Sequence, residues 1–390
     1  MRKIGFMGGS FHPIHVRHVE MAEDALRSMQ LDEVIFLPSG NPPHKKIGYE
    51  SAEDRFAMVQ LAITGKEGLS VSRIEIDREG IIYTADTLAL LKERMPNAKF
   101  YYIIGEDTLY DLPNWHTPDA VFKLTDFLVC LRPGSDRDPY GFAAELKKRG
   151  AAFHFLTLAE ADISSTRVRE ELSSNGFSAD LHPAVMGYIL CAGLYGLPTL
   201  VGDFHTRFTH LSRLLKPARL MHTFSVAEFA VSLAKQYGID EIKAAQAAFF
   251  HDCAKYLPLE EMLSLTSRMV LDDEMRCSTD LLHAAAGAEM ARTMFSVSDE
   301  EVLDAIRYHT TGRVGMTRLE MILFLSDKLE RTRKPYPGLS EMRRLAYESP
   351  EKAMLRSLSS TLEYVKAKGQ PVYPLTGEVY SWLKSTYEKE

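Results

Sequence analysis

The sequence predicts an α/β unit built on a parallel sheet, followed by an all-α unit. Three observations carry this reading. Strand-like apolar runs alternate with helical patterns up to about Leu197, no alternating strand pattern appears after Pro198, and 390 residues exceed what one core usually spans.

The elements follow in order. KIGFM reads as a strand, Val16 to Met29 as a helix, EVIFLP as a strand, the segment through Arg55 as a helix, VSRIEI as a strand and the segment near Leu88 as a helix; KFYYIIG, DFLVCLRP and FHFLTL are further strands. Strands separated by helices of this length favour parallel crossovers, with ligands bound beyond the carboxyl ends of the strands. In the second half, RLMHTFSVAEFAVSLAKQYG, EIKAAQAAFFHDCAKYL, DLLHAAAGAEMARTMF and RLEMILFLSDKLERTR repeat apolar residues at helical spacing. Pro and Gly interrupt both patterns in PTLVGDFHTRF, which sets a linker at 198–208 between domains at 1–197 and 209–390.

With 45% hydrophobic and 25% charged residues the chain is of globular type. A net charge of −7 excludes a broad phosphate-backbone contact, so no nucleic-acid partner is expected. Cys130, Cys191, Cys253 and Cys277 lie too far apart for a zinc or disulfide framework and read as reduced thiols. The start, MRKIGFMGGSF, runs directly into a strand and turn, and no apolar stretch approaches 18 residues, so no membrane partner and a cytoplasmic location are expected.

Chemistry concentrates first in KIGFMGGSFHPIHVRHVEMAEDAL, a strand, a Gly-Gly turn and a helix. Gly8 and Gly9 let backbone approach a ligand. The helix start suits phosphate through its free N–H groups and positive dipole end. His15 and His18, three apart, share a face there and can aim donors at charge developing on a transferring phosphoryl group. A single histidine in this place is an ordinary surface residue; the combination with ISSTRVRE is more specific. In that second segment Ser164, Ser165 and Thr166 form a hydroxyl-rich helix start, and Arg169 is a bidentate phosphate donor, although serine-rich starts are also common caps.

GGSFHPIHVRH resembles the signature of the nucleotidyltransferase superfamily, and NPPHK, DRFAM, REGIIYTADTL, GEDTLYDLPNWH and LRPG narrow the resemblance to the nicotinate-nucleotide adenylyltransferases. It implies a Rossmann-like domain that transfers AMP from ATP to nicotinate mononucleotide with Mg2+, giving deamido-NAD and pyrophosphate. Gly8, Gly9, Ser10, Phe11, His15, His18, Asp107, Ser164, Ser165, Thr166 and Arg169 would then contact ATP, with His15, His18 and Arg169 catalytic. His44, Lys45, Thr84 and Trp115 would hold the mononucleotide. The indole of Trp115 suits stacking on a pyridine ring and suits a core position equally; Lys45 would equally be a solvated basic residue. Arg17 stands where the signature has Gly, and His12 where Asp or Asn is usual, so Arg17 either shifts the ATP pose or adds a cation. Nicotinamide mononucleotide is the alternative acceptor; phosphopantetheine, choline phosphate or glycerol phosphate serve related transferases.

In the helical half His222, His251-Asp252, His283, His309 and Asp327 recur on separate helices or helix ends. A His and carboxylate mixture pointed into a bundle suits iron, manganese or zinc better than calcium. Phe249, Phe250 and Ala254 around His251-Asp252 suggest burial, where an ionised Asp is costly without a cation. The order His…His-Asp…His…His…Asp resembles the HD-domain phosphohydrolases, and RLMHTFSVA, HDCAKYLP, YHTTG and SDKLERTR resemble the symmetrical diadenosine tetraphosphate hydrolases. This implies a dinuclear centre of iron, with manganese or zinc as alternatives, bridged by Asp252, where water of lowered pKa cleaves diadenosine tetraphosphate to two ADP. Lys255 and Arg331 would neutralise polyphosphate charge, or lie as solvated helix residues. A nucleotide-sensing regulatory module, or hydrolysis of another nucleotide, are the competing readings of this half.

Overall fold

A computed structural model describes residues 1–40, 50–131, 136–157, 163–369 and 372–387. It forms two compact units, Met1–His182 and Pro183–Glu390.

The first unit is a six-stranded sheet of β1 (Lys3–Gly9), β2 (Glu33–Pro38), β3 (Leu69–Val71), β4 (Lys99–Gly105), β5 (Asp126–Leu131) and β6 (Phe153–Thr157), in the order β3-β2-β1-β4-β5-β6 with every pairing parallel. Its helices are α1 (Val16–Ser28), α2 (Ala52–Ile63), α3 (Thr84–Arg94), α4 (Glu106–Asp111), α5 (Pro118–Leu124), α6 (Pro139–Lys147) and α7 (Ser165–Asn175). Parallel strands covered on both faces read as continuous apolar runs. The interior of β4, Phe100 to Ile104, is buried throughout, and the Phe6 and Phe100 rings of adjacent strands meet edge to face at 4.9 Å. The strand order reverses between β1 and β4, so a crevice opens beyond their carboxyl ends.

One expected strand is largely replaced. VSRIEI contributes only its first residue to β3; beyond it the Ile76 and Asp77 amides both donate to the Arg73 carbonyl, and Ser72 Oγ takes the Ile74 amide. Local side-chain and turn bonds there displace the ladder, as Ser and Asp commonly allow.

The second unit holds no strand among the described residues. It runs through α8 (Pro183–Ala192), α9 (Phe204–Leu214), α10 (Pro217–Tyr237), α11 (Glu241–Phe250), α12 (Leu259–Leu265), α13 (Asp273–Cys277), α14 (Thr279–Met294), α15 (Glu300–Tyr308), α16 (Arg318–Leu329), α17 (Leu339–Glu348), α18 (Pro350–Ala367) and α19 (Pro374–Tyr387). Helix α10 packs against α8, α11 and α16. Among the described residues no helix is long and apolar enough to cross a membrane.

The division between units falls earlier than the Pro and Gly signals suggest. Helix α8 belongs to the second unit, because Gly187 brings it against α10: a Cβ at Gly187 would lie 1.9 Å from the Phe224 carbonyl oxygen. Tyr188 of α8 meets Phe204, Phe208 and Phe224 edge-on or tilted, with centroids 5.0 to 5.3 Å apart. The segment 198–208 is no open linker. Leu200 and Val201 are buried, their amides donate to Leu190 and Cys191 carbonyls, and α9 has begun by Phe204.

Replacing Gly187 with Ala therefore wedges α8 off α10. We expect it to destabilise the helical unit by about 1–3 kcal/mol, the usual cost of an overpacked contact, read as a lower urea midpoint for its helical signal; an unchanged midpoint contradicts this packing.

Candidate functional sites

At the crevice of the first unit, the chain leaves β1 through Gly8, Gly9 and Ser10 and enters α1 at His15, its N-cap. The His15 and His18 rings stack with centroids 3.8 Å apart, and the His15 amide donates to His18 Nδ1 at 3.2 Å. That bond places the His18 ring proton on Nε2. Burial, with the Arg17 charge adding to it, lowers the His15 pKa to about 4; burial and then His15 hold His18 well below its ordinary value. Both imidazoles are therefore neutral near pH 7 and act as single N–H donors. Phe11 holds the rings from below, edge to face with His18 at 5.2 Å, and does so from a left-handed backbone with φ of 47°. Such a conformation costs about 1–3 kcal/mol and persists where surroundings enforce it.

The second motif folds onto the first. Ser164 caps α7 by accepting the Arg167 amide, Ser165 Oγ donates to the Pro13 carbonyl at 3.0 Å, and Arg169 donates to the His12 carbonyl at 2.7 Å and to Thr166 Oγ1 at 3.1 Å. Asp107, exposed, sits in the first turn of α4 just beyond β4. Thr84 opens α3 and hydrogen-bonds the Tyr102 hydroxyl. Trp115 settles partly into the core, edge-on to Tyr102 and Phe127, while remaining half-buried. His44 and Lys45 lie outside the described residues.

Two features differ from expectation. A Cβ at Gly8 would lie 1.9 Å from the Tyr102 hydroxyl, so the glycine is required by a buried tyrosine of β4 as well as by any ligand. His12 is buried with Nε2 2.6 Å from Glu50 Oε2, and Arg17 reaches Glu20 at 3.2 Å with a side chain only 11% exposed.

Sequence reasoning missed Arg55. Its guanidinium, 1% exposed, donates to the carbonyls of Ser10 (2.8 Å), Ser39 (2.6 Å), Gly40 (2.9 Å) and Glu50 (3.3 Å), tying the ends of β1 and β2 into one floor. The available signal was a charged pair, Asp54-Arg55, leading directly into the apolar run Phe56 to Val59 of one helix.

The second unit collects all six expected metal-ligating residues. His222 comes from α10, His251-Asp252 from the end of α11, His283 from α14, His309 from the end of α15 and Asp327 from α16. Two groups result, each with ligand atoms within 4.8 Å of one another: His222, His251, Asp252 and Asp327, and Asp252, His283 and His309. Asp252 is common to both, and its two oxygens divide between them. Oδ2 lies 3.0 Å from His251 Nε2 and 3.9 Å from His222 Nε2, while Oδ1 lies 3.3 Å from His283 Nε2 and 4.0 Å from His309 Nε2. Asp327 Oδ1 lies 2.9 Å from His222 Nε2.

The donor set fits divalent metal. His251, His283 and His309 point Nδ1 at the carbonyls of Ala248, Thr279 and Ile306 at 2.7, 3.2 and 2.8 Å, and His222 Nδ1 meets Glu330 at 3.3 Å. Carbonyls only accept, so those Nδ1 atoms carry protons and the Nε2 lone pairs converge on carboxylates. This is the outer-shell arrangement of metal-binding histidines. Buried His251 Nε2 faces Asp252 Oδ2 at 3.0 Å but makes no well-aligned hydrogen bond among the described residues. Burial, followed by His251 and His283, lowers the His309 pKa to about 3. Burial alone would raise the Asp252 pKa, yet the imidazoles hold it well below the carboxylate range. Imidazole lone pairs converging on carboxylate oxygens form a donor set that a divalent ion would satisfy.

The cations beside the cluster are not those expected. Lys255 pairs with exposed Asp280 at 3.2 Å, and Arg331 turns to buried Glu228 at 3.3 Å and to the Tyr347 hydroxyl. Arg219 and Arg333 lie against the ligands instead, Arg219 at 2.9 Å from Asp252 Oδ2 and Arg333 at 3.2 Å from Asp327 Oδ1.

Residues 6–171 match the cytidylyltransferase-like family model, and residues 219–332 match the HD-domain model. A Gloeobacter violaceus protein described as a probable nicotinate-nucleotide adenylyltransferase is 41% identical over 200 residues, covering 50% of this chain and 97% of its own. A symmetrical bis(5'-nucleosyl)-tetraphosphatase of Bacillus subtilis is 40% identical over 168 residues, covering 43% of this chain and 90% of its own. A Mycoplasma genitalium protein described as a probable nicotinate-nucleotide adenylyltransferase/Ap4A hydrolase aligns across 94% of this chain and 99% of its own at 29% identity.

The low pKa of His15 has a direct check. Its imidazole resonances in the ligand-free protein should titrate near pH 4, leaving the ring neutral from there upward, and a midpoint near the unperturbed 6.5 would contradict the buried geometry.

Proposed function

We propose that this chain, which belongs to the nicotinate-nucleotide adenylyltransferase family through its first half and to the HD-domain symmetrical bis(5'-nucleosyl)-tetraphosphatase family through its second, carries out both reactions. The observation that carries this is the presence of two assembled sites on one chain, the stacked His15-His18 pair with α7 docked on it, and the cluster of six ligands centred on Asp252.

At the first site a phosphate oxygen of nicotinate mononucleotide attacks the α-phosphorus of ATP. The bond from that phosphorus to the β-bridging oxygen breaks, and pyrophosphate leaves with both electrons of the bond. Neutral His15 and His18 donate to nonbridging oxygens of the transferring group, where one well-aimed donor is worth about 3–4 kcal/mol. Arg169, Ser165 and Thr166 hold the leaving phosphates, Gly8, Gly9, Ser10 and Phe11 line the turn, and Asp107 lies beside the nucleoside. Magnesium would supply countercharge to the triphosphate when bound. Thr84 and Trp115, with His44 and Lys45, receive the mononucleotide; the resemblance around Asp54, Thr84 and Trp115 favours nicotinate mononucleotide over phosphopantetheine, choline phosphate or glycerol phosphate as the acceptor.

At the second site His222, His251 and Asp327 would hold one divalent ion, and His283 and His309 a second, with Asp252 shared. Such ions lower the pKa of water and neutralise anhydride charge. Iron is the metal we favour, with manganese or zinc as alternatives, because imidazole and carboxylate together suit them. Water adds to phosphorus on one side of the central P–O–P bridge of diadenosine tetraphosphate, the bridge opens, and two ADP result. Lys255, one turn beyond the ligands, stands near enough in sequence to serve the polyphosphate once released from Asp280. Free thiols and nucleotide substrates are consistent with the cytoplasm.

Two variants separate the halves. His18→Ala should cut pyrophosphate release from ATP and nicotinate mononucleotide by about 10²- to 10³-fold and leave diadenosine tetraphosphate cleavage intact; near-normal transfer refutes the first assignment. Asp252→Ala should lose bound metal by elemental analysis and cleavage together, with adenylyl transfer preserved as the control for folding. Retention of full metal content counts against the second.

A further inference from the structure

Three of the four histidines in the metal-ligand cluster are held alike, and one is not. His251, His283 and His309 each give the Nδ1 proton to a carbonyl one helical turn back, that of Ala248, Thr279 and Ile306. His222 instead meets Glu330 Oε1 at 3.3 Å, reaching from α10 to the residue that ends α16. Glu330 is 2% exposed. Its other oxygen accepts the Thr332 amide at 2.6 Å and the Thr332 hydroxyl at 2.7 Å, and Arg333 Nε stands 3.7 Å from Oε1. A carboxylate so buried is costly unless donors meet it. Here the donors pin it against one imidazole. The two ligand groups differ in the same direction. The group with His222 has four members, two of them carboxylates, whereas the group with His283 and His309 has three, with Asp252 as its one carboxylate. A carboxylate behind a histidine fixes the ring and raises its basicity, and affinity for a divalent ion rises with the number and charge of its donors. Arg219 on Asp252 and Arg333 on Asp327 oppose an ion in the first group. A divalent ion carries twice their charge and fits among ligand atoms within 4.8 Å of one another, where a guanidinium does not.

We propose that Glu330 is a positioning residue that makes the two metal positions unequal, so that the His222 position fills first and the His283-His309 position fills only at higher free metal. This deepens the reading of the second site and rests on it. Glu330 touches no ion; it acts through the orientation and basicity of His222. Because the proposed cleavage uses both ions, it follows occupancy of the weaker position. The hydrolase half is then switched by metal supply over a range in which its first ion stays bound. The transferase half, which contributes none of these ligands, does not share that threshold.

The test uses the full chain, stripped of metal with a chelator and titrated with manganese, read by calorimetry and by electron paramagnetic resonance. Up to one equivalent the resonance should be the hyperfine pattern of an isolated ion, and the exchange-coupled spectrum of an ion pair should rise only with the second. The two calorimetric steps should differ by about tenfold or more, the scale on which such outer partners act. Glu330→Gln keeps the size of the side chain and removes its charge. It should weaken the first step by about 10- to 100-fold and leave the second within about threefold, so that the ion-pair spectrum enters below one equivalent. Thr332→Val removes one donor from the far side of the carboxylate and should weaken the first step by a smaller factor, a graded response that unfolding would not give. Pairwise filling of the wild type, with the ion-pair spectrum present from the first additions, overturns the proposal, as does equal weakening of both steps in Glu330→Gln. If the steps are unequal and Glu330→Gln narrows them while the wild type does not cleave diadenosine tetraphosphate, the unequal centre stands and the substrate assigned to the second site falls. Absence of manganese binding removes the second-site reading and the proposal with it.

Discussion

A buried carboxylate facing four imidazole lone pairs is the constraint around which the helical unit is arranged. Asp252, 2% exposed, takes the Arg219 guanidinium at 2.9 Å on Oδ2, while imidazole nitrogens crowd both of its oxygens. Each Nδ1 proton is committed to a carbonyl or to Glu330, so the rings cannot turn to relieve it. Residues contributed by α10, α11, α14, α15 and α16 must therefore arrive at one point, and the packing of α10 against α11 and α16 holds that convergence. A divalent ion satisfies the electrostatics and the geometry at once, and metal binding in such a centre is coupled to stability of the surrounding helices.

The first unit solves a different problem with the same residue type. His15 and His18 are neutral because burial removes the charged form, and their stacking fixes both rings at the helix start. A neutral ring gives one defined N–H donor, whereas a cation would bring charge at the cost of desolvation. Buried histidine thus faces carboxylates in one unit, in a cluster that fits a divalent metal, and stands neutral beside a second imidazole in the other.

Much of this was legible in the sequence. Strand and helix periods gave the parallel sheet and the helical second half, and every residue of the metal cluster could be picked out by type and spacing. VSRIEI failed as a strand because Ser72 and the Arg73 carbonyl satisfy the next amides locally, a competition that apolar alternation does not report. The division of units was misplaced because Pro198 and Gly202 mark a turn that folds back onto α8, and Gly187 signals close helix contact only once its neighbour is known. Arg219 and Arg333 escaped attention because a charge beside a ligand is recognisable only in three dimensions; Lys255 and Arg331, nearer in sequence, are turned to Asp280 and Glu228.

Arg55 shows how a residue that touches no ligand can shape one. In a planar trans peptide the carbonyl of one residue and the N–H of the next point in opposite directions. By drawing the carbonyls of Ser10 and Ser39 inward to its guanidinium, Arg55 turns the amides of Phe11 and Gly40 the other way. A buried cation thereby fixes the orientation of two peptide dipoles at the floor of the crevice, each with its carbonyl end drawn toward the guanidinium.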